Sequence, residues 1–272
     1  MPYFTGAHGR VHHHAWLPAD ETRSVVVLLH GYGEHLGLYD AFGRRLSGDG
    51  HAVHALDCVG HGRSDGERAS VETWDWYVED ARTLVERARA QHPGLPVFVV
   101  GHSGGALAAY LLAIRHPGAV DGLVLSGAPL QPLGWMLEAA LGDEPEGDDL
   151  DPTALFSTHA DYVHALMHDE LVYQGGFRTE TLQAMVRTWP EVVDALDAAR
   201  PHVPVLLVHG ELDPLVPVAR SRFLAGLLPA ATLRVFTGDL HDVLNEHDRD
   251  LVHDAVADFV GSMADRCTAV SA

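Results

Sequence analysis

The chain has 272 residues, 47% of them hydrophobic, and a formal net charge of −20. That size and apolar content suit one large α/β unit with a substantial core. Lysine is absent and all 18 cations are arginine, which excludes Schiff-base and phosphate-loop lysine chemistry, while the acidic balance argues against a nucleic-acid partner.

No apolar run approaches the length of a membrane span, and Met1 to Val11 lacks the pattern of a secretory signal. Cys58 and Cys267 are the only cysteines, so no disulfide framework is implied and a cytoplasmic location is expected. His12-His13-His14 lies in a strand-like segment ending at Trp16. Without a matching Cys or carboxylate spacing these are expected to be solvated strand histidines, and no metal site is assigned.

Val25 to Leu29 is a short uncharged run that suits a strand buried on both faces. A helix is predicted over Tyr39 to Leu46, a strand over Ala52 to Leu56, and a long amphipathic helix over Val71 to Ala90. His92-Pro93-Gly94 stops that helix. Strand Val97 to Gly101, helix Gly105 to Arg115 and strand Gly122 to Ser126 follow. This β-α-β-α-β order implies a mostly parallel, doubly wound sheet covered by helices on both faces.

The rhythm breaks at Gly127-Ala128-Pro129 and resumes at Val203-Pro204. Between Pro129 and Arg200 there are fourteen acidic and three basic residues and no buried-strand pattern. Residues 129–202 therefore read as a helical lid inserted into a core made of 1–128 and 203–272. Gly142 to Asp151 is expected to be an acidic loop. Leu133 to Leu141, with Trp135 and Met136, is a candidate apolar surface for substrate. Strands at Val205 to Val208 and Leu233 to Phe236, with helices at Val218 to Leu228 and Asp248 to Met263, complete the alternation.

Gly101-His102-Ser103-Gly104-Gly105 lies between a strand and a helix. Gly-x-Ser-x-Gly in that context is a nucleophile elbow: small neighbours permit a sharp turn that lifts the hydroxyl clear of the sheet. A serine hydroxyl needs a base, and the base needs an orienting carboxylate. Both should lie on loops after later strands. His209-Gly210-Glu211-Leu212-Asp213-Pro214 follows one, offering Glu211 and Asp213. Gly238-Asp239-Leu240-His241-Asp242 follows the next, placing His241 before the final helix. His247 and His253 are expected to face solvent. The oxyanion donors are assigned to the backbone N–H groups of Gly104 and of Tyr32, in the loop His30-Gly31-Tyr32-Gly33-Glu34-His35.

The segments His30 to His35, Asp57-Cys58-Val59-Gly60-His61-Gly62-Arg63-Ser64-Asp65-Gly66-Glu67-Arg68, Gly101 to Gly105, Asp213 to Val216, His241 to Glu246 and, in the lid, Asp169 to Gly175 together resemble the monoacylglycerol lipase and lysophospholipase group of α/β-hydrolases. The resemblance implies the triad Ser103, Asp213 and His241, with Asp213 preferred over Glu211. It implies hydrolysis of a fatty monoester without a cofactor, an acyl site under a lid that contacts membranes or micelles, and Glu34 near the polar head of the substrate. Members often carry methionine at the Gly104 position and arginine at the Leu38 position, so head recognition should differ here. A short-chain carboxylesterase or thioesterase is the alternative. An aminopeptidase, or a binding protein on the same fold, ranks lower.

Overall fold

The computed structural model describes residues 2–142 and 151–271. Most of the expected acidic loop, residues 143–150, lies outside the described residues.

Strands β1 (Tyr3–Gly6), β2 (Gly9–Trp16), β3 (Ser24–Leu29), β4 (His51–Leu56), β5 (Val97–His102), β6 (Gly122–Ser126), β7 (Val205–Gly210) and β8 (Ala231–Phe236) form one sheet. Their order is β1-β2-β4-β3-β5-β6-β7-β8. From β4 to β8 every pairing is parallel, and β1 and β2 add an antiparallel edge. The order of strands reverses between β3 and β5, so their carboxyl ends open side by side, with Leu29 paired to Gly101. In open α/β sheets such a reversal leaves a crevice for ligands.

Helices α1 (Asp40–Gly48), α2 (Asp75–Gln91) and α3 (Gly104–Arg115) connect the first parallel strands, and α9 (Val218–Leu227) and α10 (Arg249–Ser271) follow β7 and β8. Alternation along β3 divides the core. Val25, Val27 and Leu29 pack with α2 and α3 on one face, while Val26 and Leu28 pack with Phe42, Val252 and Val256 of α1 and α10 on the other. Each such aliphatic side chain contributes about 1.5–3 kcal/mol through burial. The edge strand β8 is only partly buried.

Between β6 and β7 the described chain is helical: α4 (Gly134–Ala140), α5 (Pro152–Leu155), α6 (Ala160–His168), α7 (Thr179–Val186) and α8 (Trp189–Asp197). Met136, Leu182, Met185, Trp189 and Val192 join the same apolar cluster as α2 and α3, so the insertion shares the core rather than standing off it.

Three expectations need correction. The long helix starts at Asp75, not Val71, because the Val71 N–H donates to Thr181 Oγ1 at 2.9 Å and ties that turn to α7. His12 is not simply solvated: its Nδ1 lies 2.8 Å from Asp57 Oδ2. His253 is buried with its Nε2 2.8 Å from the Leu244 carbonyl, whereas His247 is exposed as expected.

Candidate active site

Ser103 ends β5 and caps α3 with φ 50° and ψ −117°. A non-glycine residue there stores strain of about 1–3 kcal/mol, which the surrounding glycines allow the fold to hold. A Cβ at Gly105 would come within 2.2 Å of the Leu29 carbonyl, and one at Gly101 within 2.4 Å of the Gly105 carbonyl. Only glycines let α3 start this close to β3. A Cβ at Gly104 would meet the Trp74 ring at 3.0 Å, so Trp74 fills the room beside that position.

The Ser103 N–H donates to the Ser126 carbonyl at 2.8 Å. The next residue, Gly127, lies against His241: a Cβ there would fall 2.8 Å from the imidazole Cε1. One peptide at the end of β6 thus has the elbow on one side and the imidazole on the other. His102 adds a second link, its ring centroid 4.9 Å from that of His241.

Asp213 lies in a turn after β7. Its Oδ1 accepts the Leu215 and Val216 N–H groups, each at 2.9 Å. Its Oδ2 lies 2.8 Å from His241 Nδ1 and 3.1 Å from His209 Nε2. Burial works against the charge of Asp213, but His241 and His209 outweigh it and hold the carboxyl far below its usual range. Burial likewise opposes protonation of His241, yet Asp213 prevails and the imidazole lies above its ordinary value. Glu211, the neighbouring carboxylate, is exposed. The two loops meet because Gly210 has no side chain: a Cβ there would fall 1.9 Å from the Leu240 carbonyl. Hydrogen bonds from Glu211 N–H to Phe236 O and from Leu212 N–H to Asp239 O, each 2.9 Å, fasten them.

The loop after β3 is held at several points. His30 Nδ1–H donates to the Gly31 carbonyl at 2.7 Å, and its Nε2 accepts from Cys58 N–H at 2.9 Å. Burial pushes His30 down to about 3, so it stays a neutral strut. The Tyr77 hydroxyl donates to the His30 carbonyl at 2.6 Å, and Gly31 N–H donates to Glu34 Oε2 at 2.8 Å. Tyr32 stacks on Phe177 of the insertion, ring centroids 5.1 Å apart, and the Arg178 N–H donates to its hydroxyl at 3.0 Å.

The Gly-His-Gly-Arg-Ser motif supports this loop from below. Asp57 accepts from Leu36 and Arg63 N–H groups at 2.8 and 2.9 Å, and a Cβ at Gly62 would collide with the Asp57 carboxylate at 2.3 Å. The motif is a buckle between β4 and the loop after β3.

Glu34 and Asp242 are buried and face the same residue of α6. Glu34 Oε2 also accepts from the Tyr39 hydroxyl at 2.6 Å, while the Tyr162 hydroxyl lies 2.6 Å from Glu34 Oε1 and 2.7 Å from Asp242 Oδ2. Burial first, and then the Asp242 carboxylate, push Glu34 up to about 7. One ligand atom each from Glu34, His102 and Asp242 lies within 4.8 Å of the others, but His102 Nδ1 is already paired with Ser126 Oγ at 3.1 Å and both carboxylates are taken by protein donors. The donor set is spent on the protein itself and does not fit a resident metal.

In α4, Trp135 Nε1–H donates to the Leu215 carbonyl at 2.9 Å beside the Asp213 turn. The helix phase turns Met136 into the core, and Leu137 and Leu141 take the exposed positions. The insertion also covers the imidazole loop, with His241 and Asp242 N–H groups donating to the Leu155 and Phe156 carbonyls at 3.3 and 2.9 Å.

A reversed strand order, a strained serine elbow and a buried His–carboxylate pair on the next loops define the α/β-hydrolase class. A family model described as serine aminopeptidase, S33, matches residues 20–248. A monoacylglycerol lipase of Mycolicibacterium smegmatis is 36% identical over 95% of this chain and 96% of its own. Among solved structures, the monoacylglycerol lipase of Paleococcus ferrophilus superposes with TM-score 0.78 at 26% identity, covering 93% of this chain and 99% of that one. A lipase in its open form gives 0.84 at 25%, covering 97% and 98%. The chain belongs to this family of monoacylglycerol lipase-like α/β-hydrolases, and it is a carboxylic ester hydrolase.

Proposed function

We propose that the protein hydrolyses monoacylglycerols to fatty acid and glycerol through an acyl-enzyme on Ser103. His241, through the nitrogen opposite the Asp213-bound Nδ1, takes the Ser103 proton as the hydroxyl attacks the ester carbonyl. The Gly104 N–H, among the first amides of α3, and the Tyr32 N–H hold the oxyanion. The imidazolium, stabilised by Asp213, protonates the leaving glycerol oxygen. Water then repeats the sequence and releases the acid. The observation that carries this reading is the saturated Asp213 carboxylate against His241 at 2.8 Å, with that imidazole against Gly127 and the Ser103 N–H on the Ser126 carbonyl just before it.

Residues 129–202 act as the lid. Trp135 walls the acyl site from α4 with Met136 packed behind it in the core, and the exposed Leu137 and Leu141 give the lid its transient contact with micelles or membrane. The acidic balance supports a neutral ester rather than a polyanion as substrate. Among the described residues no helix is long and apolar enough to cross a membrane, and the cytoplasmic location we assign rests on the two-cysteine composition.

The test is turnover of a panel containing monoacylglycerols of several lengths, di- and triacylglycerols, lysophospholipids, acyl thioesters and aminoacyl amides, with a fluorophosphonate probe for Ser103. Monoacylglycerols should lead and the probe should label Ser103. A preference for aminoacyl amides, or labelling that persists in Ser103→Ala, overturns the reading.

A further inference from the structure

The contacts of Tyr162 require more hydrogens than a tyrosine carries. Its hydroxyl lies 2.6 Å from one carboxylate oxygen, of Glu34, and 2.7 Å from another, of Asp242. It can donate to only one of them, because a phenol has a single hydrogen. The other short O···O contact needs a hydrogen from the carboxyl side, since two unprotonated oxygens repel at that range. Asp242 Oδ2 already accepts from Asn245 Nδ2–H at 2.9 Å, and Oδ1 from Leu244 N–H at 3.2 Å. Glu34 Oε2 accepts from Gly31 and Tyr39. Glu34 Oε1 is the oxygen left to carry a proton.

We propose that Glu34 and Asp242 hold one buried proton between them through the Tyr162 hydroxyl, and that this bridge is a latch fastening α6 of the lid to the two loops that carry Tyr32 and His241. The proton sits on Glu34 Oε1 and is donated to Tyr162 Oη, whose own hydrogen goes to Asp242 Oδ2. Its connection with catalysis rests on the roles given above to Tyr32 and His241; the latch itself does not.

The groups that face the bridge favour one proton. Tyr39 and Tyr77, from opposite sides of the loop, are buried phenols kept neutral. His102 is pushed down to about 4 by burial and brings no positive charge. His241 feels both bridge carboxylates as well as Asp213, and all three raise its affinity for a proton, but as the neutral base it brings no positive charge to the bridge. Among the described residues no arginine hydrogen-bonds either carboxylate. Two unprotonated carboxylates in that setting would repel with little screening. As pH rises the shared proton leaves to solvent, one of the two Tyr162 contacts is lost, and α6 loosens. Glu34, Tyr162 and Asp242 are positioning residues: they act through the loops they hold.

The test is hydrogen–deuterium exchange of residues 160–168 in the Ser103→Ala protein, from about pH 5 to about pH 8, corrected for intrinsic exchange. Protection should fall with rising pH, by up to about tenfold per unit while the folded protein still holds the proton that the opened one has lost, and level off above about 7. Adding Glu34→Gln should keep protection high across the range, because an amide N–H replaces the carboxyl O–H toward Tyr162 and does not titrate. Adding Tyr162→Phe should lower protection at every pH. A carboxylic-acid C=O stretch should be present in the infrared spectrum near neutral pH and vanish with Glu34→Gln, while any signal from Asp239, pushed up to about 8 by burial and Asp248, stays in both.

A pH-independent α6 in the parent, or Glu34→Gln behaving like Tyr162→Phe, overturns the proposal. So does a stoichiometric metal on Glu34, His102 and Asp242 in the purified protein. All these readouts use a protein without the Ser103 hydroxyl, so their failure leaves the acyl-enzyme reading standing, and failure of Ser103 labelling leaves the latch standing.

Discussion

Two buried carboxylate sites flank the same imidazole, and they settle in opposite protonation states. Asp213 is surrounded by donors, two backbone N–H groups and two imidazoles, and is held ionised far below its usual range. Glu34 is equally buried, but apart from the Gly31 N–H its neighbours are phenols and a second carboxylate, and it is pushed up to about 7. Depth alone therefore does not decide ionisation; the number and charge of the donors do.

The largest effect expected from breaking this contrast is at Asp213. Asp213→Asn should lower kcat/KM by roughly 10⁴-fold, because an amide holds the imidazole in the wrong tautomer; steady-state kinetics with melting curves will show whether the loss is catalytic. Ser103→Ala should lose at least as much with the fold intact, as expected for residues acting as one unit.

Next in size is the opposite pH dependence of stability. Asp213, lowered in the folded state, contributes stability that is present above its unfolded value and lost as pH falls. Glu34, raised in the folded state, contributes stability that is present below its unfolded value and lost as pH rises toward about 7. Denaturant unfolding should show Asp213→Asn flattening the loss of stability on the acid side and Glu34→Gln flattening the loss toward neutrality, each by roughly 1–3 kcal/mol. If both variants flatten the same side, the contrast fails.

Smaller again is a shift in the pH–rate profile. kcat/KM should rise as His241 loses its proton, with the acid limb above the ordinary histidine value because Asp213 raises it. The least effect is at Gly104→Ala, which should cost about 1 kcal/mol by pressing on Trp74, measured as a fall in the denaturation midpoint.

The parallel sheet was legible because fully buried strands read as short uncharged runs, and the elbow because its glycines stand where no Cβ fits. Chain order pointed to His241 and to a carboxylate after β7, and the family resemblance chose Asp213 over Glu211. What stayed hidden has a common cause. His209 beneath Asp213, His253 under Leu244, and Tyr162 between Glu34 and Asp242 all acquire their roles from residues brought together across the fold. No period or short motif marks such meetings. The Gly31–Glu34 spacing carried part of the signal, since a carboxylate three residues on can accept the Gly31 N–H, but nothing local identified Tyr162. The Val71 boundary failed for the same reason: its N–H bonds to residue 181.

Trp74 against Gly104 has a consequence for related sequences. With the indole occupying the room beside the elbow, a bulkier residue at 104 is admissible only after position 74 shrinks, and a smaller residue at 74 leaves a void until 104 grows. The two sites are sterically coupled, and a chain of this fold with methionine at position 104 should carry a smaller side chain than the indole at position 74.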